Sequence, residues 1–422
     1  MPQIRISELP LSPALSGAER LPAIRSGANA AVTAGQIAAL SRPAAIAPVA
    51  TRCAFARGYS ATPKQMMART YHRALDDISA LQIVEANWYS NAGTETGTGG
   101  TLSVTAAIEY PLNTCTAVTW GGAGTGSAAT NTNLFSDFVA VSIPKGALFA
   151  IRRYVTNASG IVFSTISDQT DRGFGIDVFG YAASGIADQT LSGTQVSTAQ
   201  AAGLCSYPAA ILARTRRPSF GIVGDSRSAG AITTSSTASF DASGNVGEIA
   251  RGLATAGYAA LNGGVYGTQA AQFVASHARQ VEILRYCPYI VLEHAINDVT
   301  AGRTAAQIQA DLTAIAGYFP NARIIVSTTP PVTSSTDGWA SLANQTTHAN
   351  NAVRVAVNTW KRGVPQPFFD CWDVADTVES ARNSGLWKPN FTLDGTHESD
   401  VAYAAIQADA GWAMRTATIS AA

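Results

Sequence analysis

Four short stretches carry side chains that together could attack an ester. In Ser219–Gly230, SFGIVGDSRSAG, a run of buried-type residues stops at Gly-Asp-Ser and leaves the Ser226 hydroxyl at the tip of a turn. Far downstream, FTLDGTHESD spaces Asp394 and His397 three residues apart in a glycine-containing turn. At that interval the carboxylate can take one imidazole nitrogen and fix the tautomer, while the other nitrogen faces outward to receive a proton. LEHAIND supplies Asn297, whose amide NH2 could point at a developing oxyanion, and LNGGVYGTQA supplies Gly267, where a bare backbone N–H allows close approach. Nucleophile, base, orienting acid and oxyanion donors are what acyl transfer needs, and each such donor contributes on the order of 3 kcal/mol to the transition state. The chemistry requires no metal and no organic cofactor.

Alone, Ser226 reads as an ordinary turn serine; what raises it is the ordered company of the other three stretches. His397 is the one histidine of five with an acid so placed. His294 ends an apolar run and is expected either near substrate or as a buried histidine with a single hydrogen bond. His72, His277 and His348 read as surface or structural residues.

These residues must be held at strand ends. From residue 211 the rhythm is apolar strand, loop, amphipathic helix. Strands are expected at Phe220–Val223, Ala259–Asn262, Tyr289–Glu293, Arg323–Ser327 and Phe368–Asp370. Helices are expected at Gly247–Ala256, Ala270–Arg285, Ala305–Tyr318, Ala349–Lys361 and Val401–Thr416. Such alternation implies an α/β domain over 211–422, a parallel sheet with helices on both faces. Residues 51–210 differ: TLSVTAAIEYP alternates at period two, DFVAVSIPKGALFAIRRYV gives two strands about a Pro-Lys-Gly turn, and polar glycine-rich loops intervene. A β-sandwich or jelly-roll accessory domain is expected there, with one helix in ATPKQMMARTYHRALDD. Trp88 and Trp120 are candidates for a sugar-stacking platform, with burial in the core as the alternative. Residues 1–50 are apolar pulses broken by Pro and Gly; a short helix over Val32–Leu40, capped by Thr33, is the one element expected, and the segment reads as an arm that attaches or docks.

GDS at Gly224–Ser226, Gly267 in GVYGTQ, AIND at Ala295–Asp298 and DGTH at Asp394–His397 follow one another in an order that resembles the SGNH (GDSL-type) hydrolases. The resemblance covers about the last half of the chain. It implies a three-layer α/β/α domain, Ser226 as nucleophile, an Asp394–His397 pair, and an oxyanion hole formed by Gly267, Asn297 and the Ser226 N–H. Two departures stand out: Ala295 occupies a position usually held by Gly, and Arg227 follows the nucleophile where an apolar residue is common. Arg227 is therefore expected to favour a polar or acidic substrate group. The α/β-hydrolase pattern G-x-S-x-G is not met, since residue 228 is Ser. Within residues 1–50, ISELP…GAERLPAIRSGANAAVTAGQIAAL resembles the segment that seats phage and prophage tail fibres and tailspikes on the virion, so a virion tail or baseplate protein is an expected partner and a homotrimer an expected assembly.

Composition narrows the choices. Charged residues are 13% of 422, and Lys plus Arg equals Asp plus Glu at 28 each, so no net field gathers nucleic acid or anionic membrane. Five scattered cysteines without C-x-x-C spacing indicate neither a disulfide framework nor a zinc site. Neither a signal peptide nor a spanning segment is expected. The expectation is a serine esterase removing O-acetyl or other short acyl groups from a bacterial surface polysaccharide, made in the host cytoplasm and carried on a virion tail. The rivals are a bacterial esterase or thioesterase with no phage connection, and a glycan-binding tail protein that no longer cuts.

Overall fold

The apolar runs of the rear half lie side by side. The computed structural model describes residues 20–25, 28–33, 43–164, 177–193, 206–231 and 247–409. Its largest rear-half sheet has the order Asp370–Trp372, Arg323–Ser327, Tyr289–Leu292, Ser219–Val223, Ala259–Asn262 and, at the edge, Cys53–Ala54. Every pairing in it is parallel. Ser219–Val223, Ala259–Asn262 and Tyr289–Leu292 are buried along their whole length, as a sheet covered on both faces requires. Phe220, Ile222 and Val291 join Ile249, Leu253 and Ile406 of helices Glu248–Thr255 and Asp400–Ala408. Val223, Ile290 and Leu292 point the other way, into a core with Phe273, Leu312 and Val357 of helices Ala270–Ala275, Ala305–Gly317 and Asn351–Arg362. The chain leaves Ser219–Val223 to one side and later crosses to the other. A reversal of that kind opens a crevice beyond the carboxyl ends of the strands, and Ser226 lies there.

Local details depart from expectation where distant residues intervene. The helix expected over 270–285 is two, Ala270–Ala275 and Ala278–Leu284, separated at Ser276 and His277. The break has a cause in the front half: the Glu95 carboxylate accepts the N–H groups of Arg279 and Gln280 at 2.9 and 2.8 Å and so starts a second helix. The last strand is Asp370–Trp372 rather than 368–370, with Trp372 buried. The final helix runs Asp400–Ala408, and its expected continuation to Thr416 lies outside the described residues.

The two largest antiparallel sheets of the front half share one apolar core, including Leu81, Ile83, Val104, Ile108, Phe149, Ile151 and Ile211. The stretch expected to be helical is instead the strand Gln65–Arg73, paired on both sides, with Leu148–Asn157 and Val178–Ala182. A central strand buried on both faces shows no alternation, and pairing on two sides overrides the helix propensity of Met66, Met67 and Ala68. The two strands expected about the Pro-Lys-Gly turn are present, and the turn passes the chain from one sheet to the other: Val139–Ile143 pairs with Ile78–Ala86, whereas Leu148–Asn157 pairs with Leu102–Glu109. Trp88 is 0% exposed with its indole N–H on Asn133, and Trp120 is 8% exposed, so both are core residues and no sugar platform.

Strand pairing crosses the expected unit limits. Ala45–Pro48, from the arm, pairs with Ala210–Thr215, a strand that straddles residue 211. Cys53–Ala54, from the front half, is the edge of the parallel sheet. Within the arm, Ala28–Thr33 pairs antiparallel with Arg20–Arg25; Val32 and Thr33 are therefore strand, and the rest of the helix expected over 32–40 lies outside the described residues. Among the described residues no helix is long and apolar enough to cross a membrane.

Candidate active site

Ser226 leaves the end of Ser219–Val223 through one helix-like turn, closed by Ala229 N–H on Asp225 O (3.0 Å) and Ala231 N–H on Ser226 O (2.8 Å). The Asp225 side chain accepts the Arg227 N–H at 3.1 Å and fixes how the turn begins. Gly224 is obligatory here, because a Cβ would stand 1.9 Å from Ser228 Oγ and 2.9 Å from Glu293 Cβ. The Ser226 Oγ lies 2.7 Å from His397 Nε2.

His397 arrives on the opposite turn. Its Nδ1 is 2.6 Å from Asp394 Oδ2, and Asp394 Oδ1 accepts the N–H groups of Thr396 and His397, each at 2.8 Å. Partial burial alone would raise the Asp394 pKa, but the hydrogen bond from the His397 ring and those two backbone N–H groups hold it down, from 3.8 to about 2. The carboxylate is thus charged throughout the neutral range. With side chains 22% and 31% exposed, imidazole and carboxylate stay in reach of water. A hydroxyl bonded to an imidazole that is itself bonded to a charged carboxylate can give up its proton as it attacks.

Asn297 opens the short helix Ile296–Thr300 directly after the strand Tyr289–Leu292. One of its amide hydrogens goes to Thr268 O at 3.1 Å, which aligns the Asn297 side chain beside the Gly267 loop. Its neighbour Asp298 is buried, accepts the Ala270 N–H at 3.0 Å and pairs with Arg303 at 2.6 Å. Gly267 sits at φ +72°, a region L side chains rarely adopt, and is exposed. Neither the Gly267 N–H nor the Ser226 N–H has a hydrogen-bond partner among the described residues. Ala295, standing where the resemblance expects Gly, is held at φ 155°.

Arg227, expected toward substrate, is buried, and His294 is buried too, as its second reading has it, but without the single hydrogen bond. Both are 0% exposed. The turn sends Arg227 beneath the nucleophile, where Nη2 donates to Glu293 O at 3.1 Å and Nε lies 3.5 Å from Asp225. His294 is sealed against the Phe273 ring, 6.0 Å away between centroids, and neither ring nitrogen has a hydrogen-bond partner among the described residues. Around Arg227 are four buried carboxyl groups, Asp225, Glu248, Glu293 and Glu398. Ser228 Oγ donates to Glu293. Burial, then the neighbouring Glu248, pushes Glu293 well above the ordinary carboxyl range, against the Ser228 hydrogen bond and the Arg227 charge. Burial and Glu248 raise Glu398 likewise, and burial raises Glu248 against Arg227. One guanidinium cannot balance four carboxylates, so protons held by the raised groups bring the cluster toward neutrality.

No sequence signal marked that cluster, since its members are spread from residue 225 to 398. Nor did any mark Arg57, whose guanidinium touches Gly264, Ala229 and Asn262.

No family model and no curated protein matches the chain. Among solved structures, similarity is found to a carbohydrate acetylesterase from Sinorhizobium meliloti (13% identity, TM-score 0.34, 48% of this chain and 100% of that one). It is also found to a GDSL-like lipase from Bacteroides thetaiotaomicron (14%, 0.33, 47% and 88%) and to an aryl esterase from M. smegmatis (12%, 0.34, 47% and 99%). At such values these likenesses bear no weight on the chemistry, which stands on the geometry above.

Proposed function

We propose that the chain is a serine ester hydrolase acting through an acyl-enzyme. The observation that carries this reading is the continuous Ser226–His397–Asp394 contact, 2.7 Å and 2.6 Å, at the carboxyl edge of a parallel sheet. Ser226 Oγ attacks the ester carbonyl carbon while His397 Nε2 takes its proton. The resulting oxyanion accepts hydrogen bonds from the Ser226 and Gly267 N–H groups and the free amide hydrogen of Asn297. Collapse expels the alcohol, which receives the proton from His397. Water, deprotonated by His397, then attacks the acyl group, and the carboxylic acid leaves as Ser226 recovers its hydrogen. Asp394 stays ionised and stabilises the imidazolium.

The substrate we propose is a short acyl ester, O-acetyl on a bacterial surface polysaccharide, with residues 1–50 as the attachment segment of a phage or prophage tail protein. Support for the tail connection is the residue pattern of that segment. The front half, residues 51–210, would hold glycan or space the hydrolase from its anchor.

The test is ester turnover with the whole chain. 4-Nitrophenyl acetate should be hydrolysed, and Ser226→Ala should lose at least about ten-thousand-fold in kcat with the folded state intact by circular dichroism. NMR of O-acetylated surface glycans should show free acetate, faster than release from long-chain esters. Undiminished turnover in Ser226→Ala removes Ser226 from the mechanism; a preference for long acyl chains removes the glycan substrate.

A further inference from the structure

The loop Gly263–Thr268, which ends at the Gly267 N–H, is held largely by residues from the other half of the chain. Arg57 belongs to the front half, and its fork reaches three acceptors: Nε donates to Gly264 O at 2.6 Å, Nη1 to Ala229 O at 3.2 Å and Nη2 to Asn262 Oδ1 at 3.1 Å. Asn262 extends the link, donating from Nδ2 to Ser228 O at 2.7 Å while its Oδ1 also accepts the Gly264 N–H at 3.0 Å. One planar cation therefore ties the start of the Gly267 loop to the turn that carries Ser226. Phe55 adds a second hold: its N–H donates to Asn262 O at 3.3 Å, and its ring lies 3.3 Å from where a Cβ on Gly263 would stand.

The far end of the loop is gripped as well. Gly93, in the turn between strands Trp88–Asn91 and Thr94–Gly97, comes so near that a Cβ on it would stand 3.0 Å from Thr268 Cγ2 and 2.8 Å from Gln272 Cβ. In the same hairpin the Glu95 N–H donates to Ser276 Oγ at 2.9 Å. Thr268 O is the acceptor that aligns Asn297. Both ends of the donor loop thus depend on front-half residues.

We propose that Arg57 is a positioning residue for the oxyanion donors: the antiparallel half of the chain, through Arg57 and the Gly93 hairpin, fixes where the Gly267 N–H stands relative to Ser226. Arg57 touches no reacting atom and acts through Gly264, Asn262 and Ala229. The assignment rests on the roles given above to Ser226 and Gly267. Donors displaced by about an ångström stabilise the transition state poorly while ground-state binding of a small ester is little affected, so kcat falls by roughly 10- to 100-fold and KM stays within about two-fold. Lysine restores little, because a point-like ammonium cannot span three acceptors.

Arg57→Ala and Arg57→Lys in the full chain test this. Active sites are titrated with a small fluorophosphonate, and kcat per titrated site is measured on 4-nitrophenyl acetate. A purely structural role would reduce the number of titratable sites and leave kcat per site at the wild-type value, which would overturn the proposal. Hydrogen exchange supplies a readout independent of activity: amides of residues 263–268 should exchange faster in Arg57→Lys while those of 394–398 do not change. Unchanged exchange at 263–268 also overturns it. Should the wild-type chain hydrolyse no ester, the esterase reading fails, and the exchange result still decides whether Arg57 holds the Gly267 loop.

Discussion

The two turns that meet at Ser226 Oγ and His397 Nε2 are built in opposite ways. The Gly224–Ala231 turn stands on buried charge, with Arg227 beneath the nucleophile among Asp225, Glu248, Glu293 and Glu398, and it is tied by Arg57 to a distant part of the chain. The Asp394–His397 turn orients its imidazole locally, one carboxylate accepting the ring and two N–H groups within three residues, while Gly395 O also accepts the Thr333 N–H at 2.9 Å and the Trp387 indole N–H at 3.0 Å, and it lies partly open to water. The difference follows function: an attacking oxygen and its oxyanion donors need a fixed geometry, whereas an imidazole that gains and loses a proton needs local orientation and access. It also gives the two turns opposite dependence on pH. Asp394 has a lowered pKa, so what it adds to stability is present above about 3.8 and fades as pH falls toward about 2. Glu248, Glu293 and Glu398 have raised values, so what they add is greatest in acid and fades as pH rises above the ordinary 4.5.

The largest effect should come from removing the charge on the open turn. Asp394→Asn keeps the shape but presents the wrong partner to Nδ1, and kcat should drop by about 10⁴-fold. What the charged carboxylate adds above about pH 3.8 is lost with it, so stability at pH 7 should fall, and the acid limb of the urea-unfolding profile between pH 4 and 2 should flatten. A drop in kcat of less than ten-fold would show that His397 is oriented by something other than Asp394.

This contrast also explains what the sequence disclosed. Asp394 and His397 were readable because their contacts span three residues, and Ser226 was readable because an apolar run ends at Gly224. The strands Ala259–Asn262 and Arg323–Ser327 have the bounds that their apolar runs suggest. Arg57 was invisible: its acceptors lie 172 to 207 residues away, and no local pattern encodes a contact that long. Arg227 was misread for a related reason, since a sequence gives charge but not depth, and the direction of a single turn decides whether a residue beside a nucleophile faces substrate or the core. The strand Gln65–Arg73 was hidden by burial on both faces, which erases the alternation that marks a half-exposed strand.

The next effect in size belongs to the buried side. Arg227→Met takes away the cation shared by four carboxyl groups and leaves the buried cluster with only the weaker counter-charge of Lys361, which acts on Glu248 and Asp225. Breaking such an arrangement costs about 3–5 kcal/mol, so urea unfolding at pH 7 should shift by that amount, with a lowered melting temperature. A loss below about 1 kcal/mol would mean that the carboxyls are already neutral without the guanidinium, and the contrast between a turn that stands on buried charge and one that orients its imidazole locally would fall.

The smallest effect is the most discriminating, because its sign depends on pH. Glu293→Gln keeps an acceptor for Ser228 Oγ and nearly the same volume, but removes one of the three carboxyls whose ionisation burial opposes. In the wild type each of these groups must either hold a proton against a rising pH or become charged without water, and either course lowers stability as the solution becomes more alkaline. An amide makes neither demand. Stability of Glu293→Gln should therefore match the wild type near pH 4.5, exceed it by about 1 kcal/mol at pH 8, and decline less steeply between those values in urea unfolding. Asp394→Asn, tested in the same series, should lie below the wild type throughout this range and converge with it only as pH falls toward 2. Parallel profiles for wild type and Glu293→Gln from pH 4.5 to 8 would mean that Glu293 carries no strain, and that the proton load beneath Ser226 rests on Glu248 and Glu398 alone.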